Sequence, residues 1–181
     1  MTARTLDIAR RQPAVAAALV IAVIGVLTMA GFFFFQYGLG YPPCPLCLEQ
    51  RYAFYMAVPL AAMILLGQSV GSSHKVLMLA LLVIAAAMLW NAGLGVYHSG
   101  VEWRWWPGPQ DCSGATPDFS AGGSLLDQVN RTRVVRCDEA AWRFLGLSLA
   151  GYNVLVSLSL AIVAAWGAWS VWRTMPPPEQ D

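Results

Sequence analysis

Residues Ala14–Phe35 read AVAAALVIAVIGVLTMAGFFFF, an uncharged stretch in a chain of 181 residues. Crossing the hydrocarbon core of a bilayer takes about 20 apolar residues in helical form, and this run is long enough. Working outward, three further apolar runs follow at about 48–66, 76–97 and 149–172. Backbone polar groups in lipid have to be satisfied within their own segment. The expectation is therefore an all-α membrane protein, a four-transmembrane-helix bundle forming one integral domain over 1–181. Composition agrees, since 57% of residues are hydrophobic and only 12% are charged, against roughly a quarter charged in a soluble domain. A net charge of +1 carries no electrostatic footprint for a nucleic-acid partner. Arg4, Arg10 and Arg11 before the first run, and the small pair Ala30-Gly31 within it, resemble a signal peptide. The run continues through Phe35, longer than a typical signal-peptide core, so it reads as a retained helix.

Between the runs lie a short loop (about 36–47), a Gly/Ser turn and one long polar loop (about 98–148). Arginines and lysines do not decide which side is which. Arg4, Arg10, Arg11, Lys75 and Arg173 on one side are matched in number by Arg104, Arg131, Arg133, Arg136 and Arg143 on the other. Only their density near the helix ends favours both termini inside. The cysteines break the tie. Cys44, Cys47, Cys112 and Cys137 are all the cysteines of the chain, and all fall in the two loops that share one face. An even set of thiols on one face fits disulfide chemistry in an oxidising compartment, which puts these loops outside and both termini in the cytoplasm.

Three readings of the cysteines compete: two structural disulfides, a four-thiolate zinc site, and a redox relay. Tetrahedral zinc sites favour two close pairs, and only Cys44/Cys47 is close, so no metal is expected. A Cys-x-x-Cys bond closes a very small ring and gains little as a staple, whereas such pairs are common electron carriers. The surrounding segment Gly40–Arg51, GYPPCPLCLEQR, favours the relay. Pro42, Pro43 and Pro45 stiffen the backbone and remove amide donors. The second helix is expected to start at Cys47 or Leu48, where the helix dipole stabilises a thiolate. Arg51, four residues after Cys47, shares its helix face. A charge just inside an apolar segment suggests function, and this one can favour a thiolate or an anionic partner beside it. Glu49 and Gln50 read as first-turn helix residues.

Cys44-Pro-Leu-Cys47 with Arg51, a second cysteine pair in the other outer loop, and the run VVRCDEAAWRFLGLSLAGYN (Val134–Asn153) together closely resemble the DsbB family of bacterial disulfide bond formation proteins. The likeness spans the chain from the first helix to the fourth. It implies an inner-membrane protein-disulfide:quinone oxidoreductase with its cysteine loops in the periplasm. Such a protein would reoxidise a DsbA-like thioredoxin-fold thiol oxidase and pass the electrons to a membrane quinone, ubiquinone or menaquinone; that system is known to keep the periplasm oxidising. By position, Cys112 and Cys137 would form the disulfide that meets the partner. Cys112 would be attacked and Cys137 would leave, then attack the Cys44–Cys47 bond. Cys47 would deliver electrons to the quinone, with Arg51 stabilising developing charge on the quinone oxygen. A vitamin K epoxide reductase-like enzyme is the nearest rival, but the arginine after CPLC and the C-terminal run fit DsbB better. A non-enzymatic tetraspanning scaffold with structural disulfides is the rival from another class.

Other residues carry weaker expectations. His98, read as following the third helix, is a candidate quinone ligand. Ser124–Val135 reads as a short amphipathic helix on the membrane surface. Pro59 is expected to kink the second helix, Gly93 and Gly95 to permit close helix packing, and Trp103, Trp105 and Trp106 to anchor at the interface.

Overall fold

The computed structural model describes residues 13–109 and 136–173. It contains four helices long and apolar enough to span a membrane: α1 (Pro13–Phe33), α2 (Pro45–Ser69), α3 (His74–Glu102) and α4 (Leu149–Arg173). A π-helical turn, Phe34–Gly38, extends α1, with Leu39 N–H donating to Phe34 O at 3.0 Å. A two-stranded hairpin, β1 (Arg143–Phe144) and β2 (Leu147–Ser148), leads directly into α4. Helices that are consecutive in sequence pack side by side, and α4 closes the ring against α1. The expected four-helix membrane bundle is what forms.

The bundle interior is built from small residues and a few branched ones. Ala14, Ala17, Ala18 and Ile21 of α1 meet Ala57, Ala61 and Ile64 of α2, Leu81, Ile84 and Met88 of α3, and Ala164 and Ala168 of α4. Small side chains let helix backbones approach where lipid removes the usual hydrophobic drive to associate. At Gly95 a Cβ would come within 2.7 Å of Val154 Cγ2 and 3.3 Å of Ala150 O, so α3 and α4 touch there because glycine permits it. Gly93 faces open space and plays no such part. The outer surface is apolar too: Leu27, Leu79, Trp90 and Ile162 are among many exposed large side chains. A soluble monomer rarely exposes so much; a lipid-facing surface requires it.

Several boundaries differ from the sequence expectation. α2 begins at Pro45, not at Cys47 or Leu48, because proline suits the first helical position, where its missing N–H is not needed. Cys44 is its N-cap, and its Sγ accepts from Cys47 N–H at 3.1 Å. α3 runs on to Glu102, so His98 lies within the helix and does not follow it. α2 continues through Pro59 to Ser69. It ends with Gly71 in the left-handed region (φ 77°) and Ser72 N–H bonded back to Gly67 O at 2.8 Å, a glycine C-cap. The expected surface helix at 124–135 lies outside the described residues, as does Cys112.

Candidate active site at the head of the bundle

The loop ends of α1 and α2, the last turns of α3 and the segment before α4 converge at one end of the bundle. Cys44 and Cys47 form a disulfide there. Pro45 and the N-cap geometry place both sulfurs at the first turn of α2, where Cys47 N–H donates to Cys44 Sγ and the positive end of the helix dipole faces them. Cys44 is buried, with Leu46, Val101 and Cys137, in a small apolar cluster separate from the main core, and Cys47 packs against its edge. Cys137 is itself in a disulfide and is 1% exposed. Three of the four predicted site cysteines thus come together; the fourth, Cys112, is not among the described residues.

Cys47 also borders a small cleft of about 60 Å³. Phe32, Phe35, Pro42 and Pro43 make its apolar walls. Cys47, Gln50, Arg51 and His98 form its polar side. Arg51 is 6% exposed, and its Nη1 donates to Gln36 Oε1 at 2.7 Å. Its guanidinium also lies 5.6 Å from the centre of the Phe32 ring and 5.7 Å from that of Phe33, within cation–π range. Among the described residues Gln36 is the side chain it hydrogen bonds, which leaves further guanidinium donors for another acceptor. The cleft thus sets a guanidinium and a sulfur against apolar walls.

His98 lines the same cleft, but its ring nitrogens face protein groups. Nε2 lies 3.7 Å from Cys44 Sγ and 3.8 Å from Glu102 Oε1, and Nδ1 lies 2.8 Å from Gln50 Nε2. The ring also hydrogen bonds the main chain of Cys137. Cys44, Cys47 and His98 hold their donor atoms within 4.8 Å of one another. Both sulfurs are tied in the disulfide, and zinc binds thiolates, so the trio is not a metal cage in this state.

The remaining partners were missed in the sequence. Gln50, read as a first-turn helix residue, lies in the second turn of α2, where it is buried and also accepts from Asn153 Nδ2 at 2.6 Å. Asn153 in turn meets Asn91 and Ser157 deeper between α3 and α4. The available signal was the presence of Asn91 and Asn153 within two apolar runs, since polar side chains there usually bond across helices. Gln36 and Glu102 gave no comparable signal. Next to Cys137, Arg136 clamps Asp138 through bonds of 2.9 and 2.6 Å and reaches Glu139 at 3.4 Å. That hydrogen bond from Arg136 holds the Asp138 carboxyl below its ordinary range. Trp142 then stacks on Phe144 and leans on Phe35, tying the hairpin to the end of α1. The tryptophans expected at the interface are exposed, and Trp106 Nε1 donates to Tyr97 O at 2.8 Å.

The family model for disulfide bond formation protein DsbB matches residues 12–167. Disulfide bond formation protein B of Marinobacter nauticus is 32% identical over 143 residues, covering 77% of this chain and 80% of that protein. The protein of the same name from Xanthomonas axonopodis pv. citri is 30% identical over 165 residues, covering 84% and 91% respectively. No solved structure matches the chain. With four spanning helices and a disulfide at the head of the second, the chain belongs to the DsbB family of membrane disulfide bond formation proteins.

Proposed function

We propose that the protein oxidises a DsbA-like, thioredoxin-fold dithiol in the periplasm and passes the electrons to a quinone of the inner membrane, ubiquinone or menaquinone. The observation that carries this reading is the division of the first cysteine pair. Cys44 lies buried in one cluster with Cys137, while Cys47 borders the apolar cleft beside Arg51.

The chain's residues would act in the following order. A partner thiolate attacks Cys112, forming a mixed disulfide and releasing Cys137 as a thiolate. The partner's second thiolate closes its own disulfide and frees Cys112. Cys137 attacks Cys44 Sγ, its neighbour in the cluster, and Cys47 departs as a thiolate on the cleft wall. Cys112 then takes back Cys137, leaving Cys44 and Cys47 both reduced. Cys44 and Cys47 then re-form their bond, giving up two electrons and two protons; a quinone bound beside Cys47 and Arg51 would supply the oxidant. Arg51 supplies donors for negative charge on a bound oxygen, and Phe32 and Phe35 keep water from it.

The test is reduction of a soluble quinone analogue by the purified protein with a reduced thioredoxin-fold dithiol. Turnover is expected in the unaltered chain and not in Cys47→Ser. Undiminished turnover in Cys47→Ser would overturn the relay.

A further inference from the structure

A continuous chain of buried side-chain hydrogen bonds runs from α4 to the disulfide. Asn91 Nδ2 donates to Ser157 Oγ at 2.9 Å and to Asn153 Oδ1 at 3.3 Å. Asn153 Nδ2 donates to Gln50 Oε1 at 2.6 Å, and Gln50 Nε2 sits 2.8 Å from His98 Nδ1. An amide can be turned end for end in such a chain, so its direction needs a physical argument. Both of its ends supply one.

At the far end, the direction just given leaves a single acceptor, Asn91 Oδ1, without a partner. Reversing every amide would instead put the Asn91 NH₂ group there, buried with no acceptor. Orphaned N–H groups are rarer in proteins than under-satisfied carbonyls, and a buried unmet donor bears its full desolvation penalty. At the near end, reversal would place the His98 proton on Nδ1 and turn a bare Nε2 lone pair toward Glu102 Oε1, 3.8 Å away. The forward direction puts an N–H there. The two ends agree.

We propose that Asn153, acting through Gln50, is a positioning residue that fixes neutral His98 as its Nε2–H tautomer, so that its one N–H, which the Cys137 main chain also accepts, lies within reach of the Cys44 sulfur 3.7 Å away. Reducing the Cys44–Cys47 bond takes two electrons from a dithiol and leaves two thiolates. A donor aimed at Cys44 favours that reduced form, because hydrogen bonds to charged acceptors are the stronger kind. His98 thus serves the sulfur that Cys137 attacks. This deepens the proposed relay and rests on it for its purpose, but the tautomer itself requires neither quinone nor partner.

The test uses the full-length, oxidised protein labelled with ¹⁵N-histidine in lipid nanodiscs. The chain has two histidines, and a His74→Gln chain assigns the spectrum. His98 is expected to show a protonated Nε2 and an unprotonated Nδ1; a protonated Nδ1 in the unaltered chain would overturn the proposal, whatever any variant does. Asn153→Leu removes the donor to Gln50 and is expected to give a mixture of tautomers; an unchanged spectrum would also overturn it. In a Cys112→Ser, Cys137→Ser chain, equilibration with dithiothreitol isolates the Cys44–Cys47 couple. Adding Asn153→Leu there should lower the equilibrium constant for reduction in proportion to the Nε2–H population lost, about twofold for an even mixture of tautomers. An unchanged constant would refute the action on Cys44. Loss of quinone reduction with the tautomer intact would instead count against the relay.

Discussion

Cys137 lies buried against Cys44 in a cluster closed by Leu46 and Val101, although the two come from different loops. Under the proposed relay, the Cys137 thiolate freed there attacks Cys44, its neighbour in the cluster. The two members of the first pair should therefore not be interchangeable as targets. In Cys47→Ser, an oxidant is expected to yield a Cys44–Cys137 disulfide in high proportion. In Cys44→Ser, the corresponding Cys47–Cys137 bond should form at least about tenfold less readily, since misplacing a nucleophile by a small distance costs rate steeply. Peptide mapping under non-reducing conditions reads both, and equal yields would sink the proposed direction of attack.

Arg51 is a cation buried between Phe32 and Phe33, with Gln36 as its hydrogen-bonded side-chain partner. Under the proposed relay, Arg51→Ala slows quinone reduction by about a hundredfold, the usual loss for a donor aimed at developing charge. Exchange between a reduced partner and Cys112–Cys137 stays near normal. Arg51→Lys recovers little, because an ammonium cannot hold Gln36 and a second acceptor in the same plane. Stopped-flow measurement of the two half-reactions separates the steps. Equal losses in both would remove the arginine from the role given to it.

Close approach of α3 and α4 at Gly95 sets a packing limit. The obstructing atoms include the main chain at Ala150 O, 3.3 Å from a built Cβ, and Val154 N at 3.4 Å. Gly95→Ala is expected to cost about 1–3 kcal/mol, as overpacking does. Gly93→Ala meets nothing within 4 Å and should be neutral or stabilising by up to about 1 kcal/mol through helix propensity. Thermal unfolding in detergent distinguishes the two, and the prediction fails if Gly93→Ala proves the more harmful.

The Arg136–Asp138 clamp brackets Cys137 and is open to solvent. The carboxyl is held below its ordinary value of 3.8 by the arginine. Its contribution is therefore present above that value and is lost as pH falls through the lower, folded-state value. Asp138→Asn should lower the unfolding midpoint slightly at neutral pH, as exposed pairs contribute little. Its difference from the unaltered chain should shrink as pH drops below 3.8. A gap that widens toward acid would contradict this.

Much of the bundle was legible because the apolar runs are long and hydrogen bonding in lipid leaves few alternatives. The redox loop was legible for a different reason: its prolines, cysteines and arginine stand close together in sequence. His98 was harder to place, since nothing local ends α3 before it. The amide chain was harder still. Gln50, Asn91 and Asn153 come from three helices, and their partnership depends on rotational phases that an apolar pattern hardly constrains when every face is greasy. Gln36 was obscured by its neighbourhood, a run of phenylalanines that reads simply as membrane.

The π-helical turn at Phe34–Gly38 gives that glutamine its bearing. Wider turns of this kind recur at functional sites, and here the unusual pitch acts as a phase shifter. Each residue added to or removed from a helix rotates everything beyond it by about 100°. Deleting one residue of this turn would leave composition, length and hydropathy almost unchanged, yet swing Gln36 away from the guanidinium it now meets. Part of the site's specification thus resides in the winding of a helix, where no motif would reveal it.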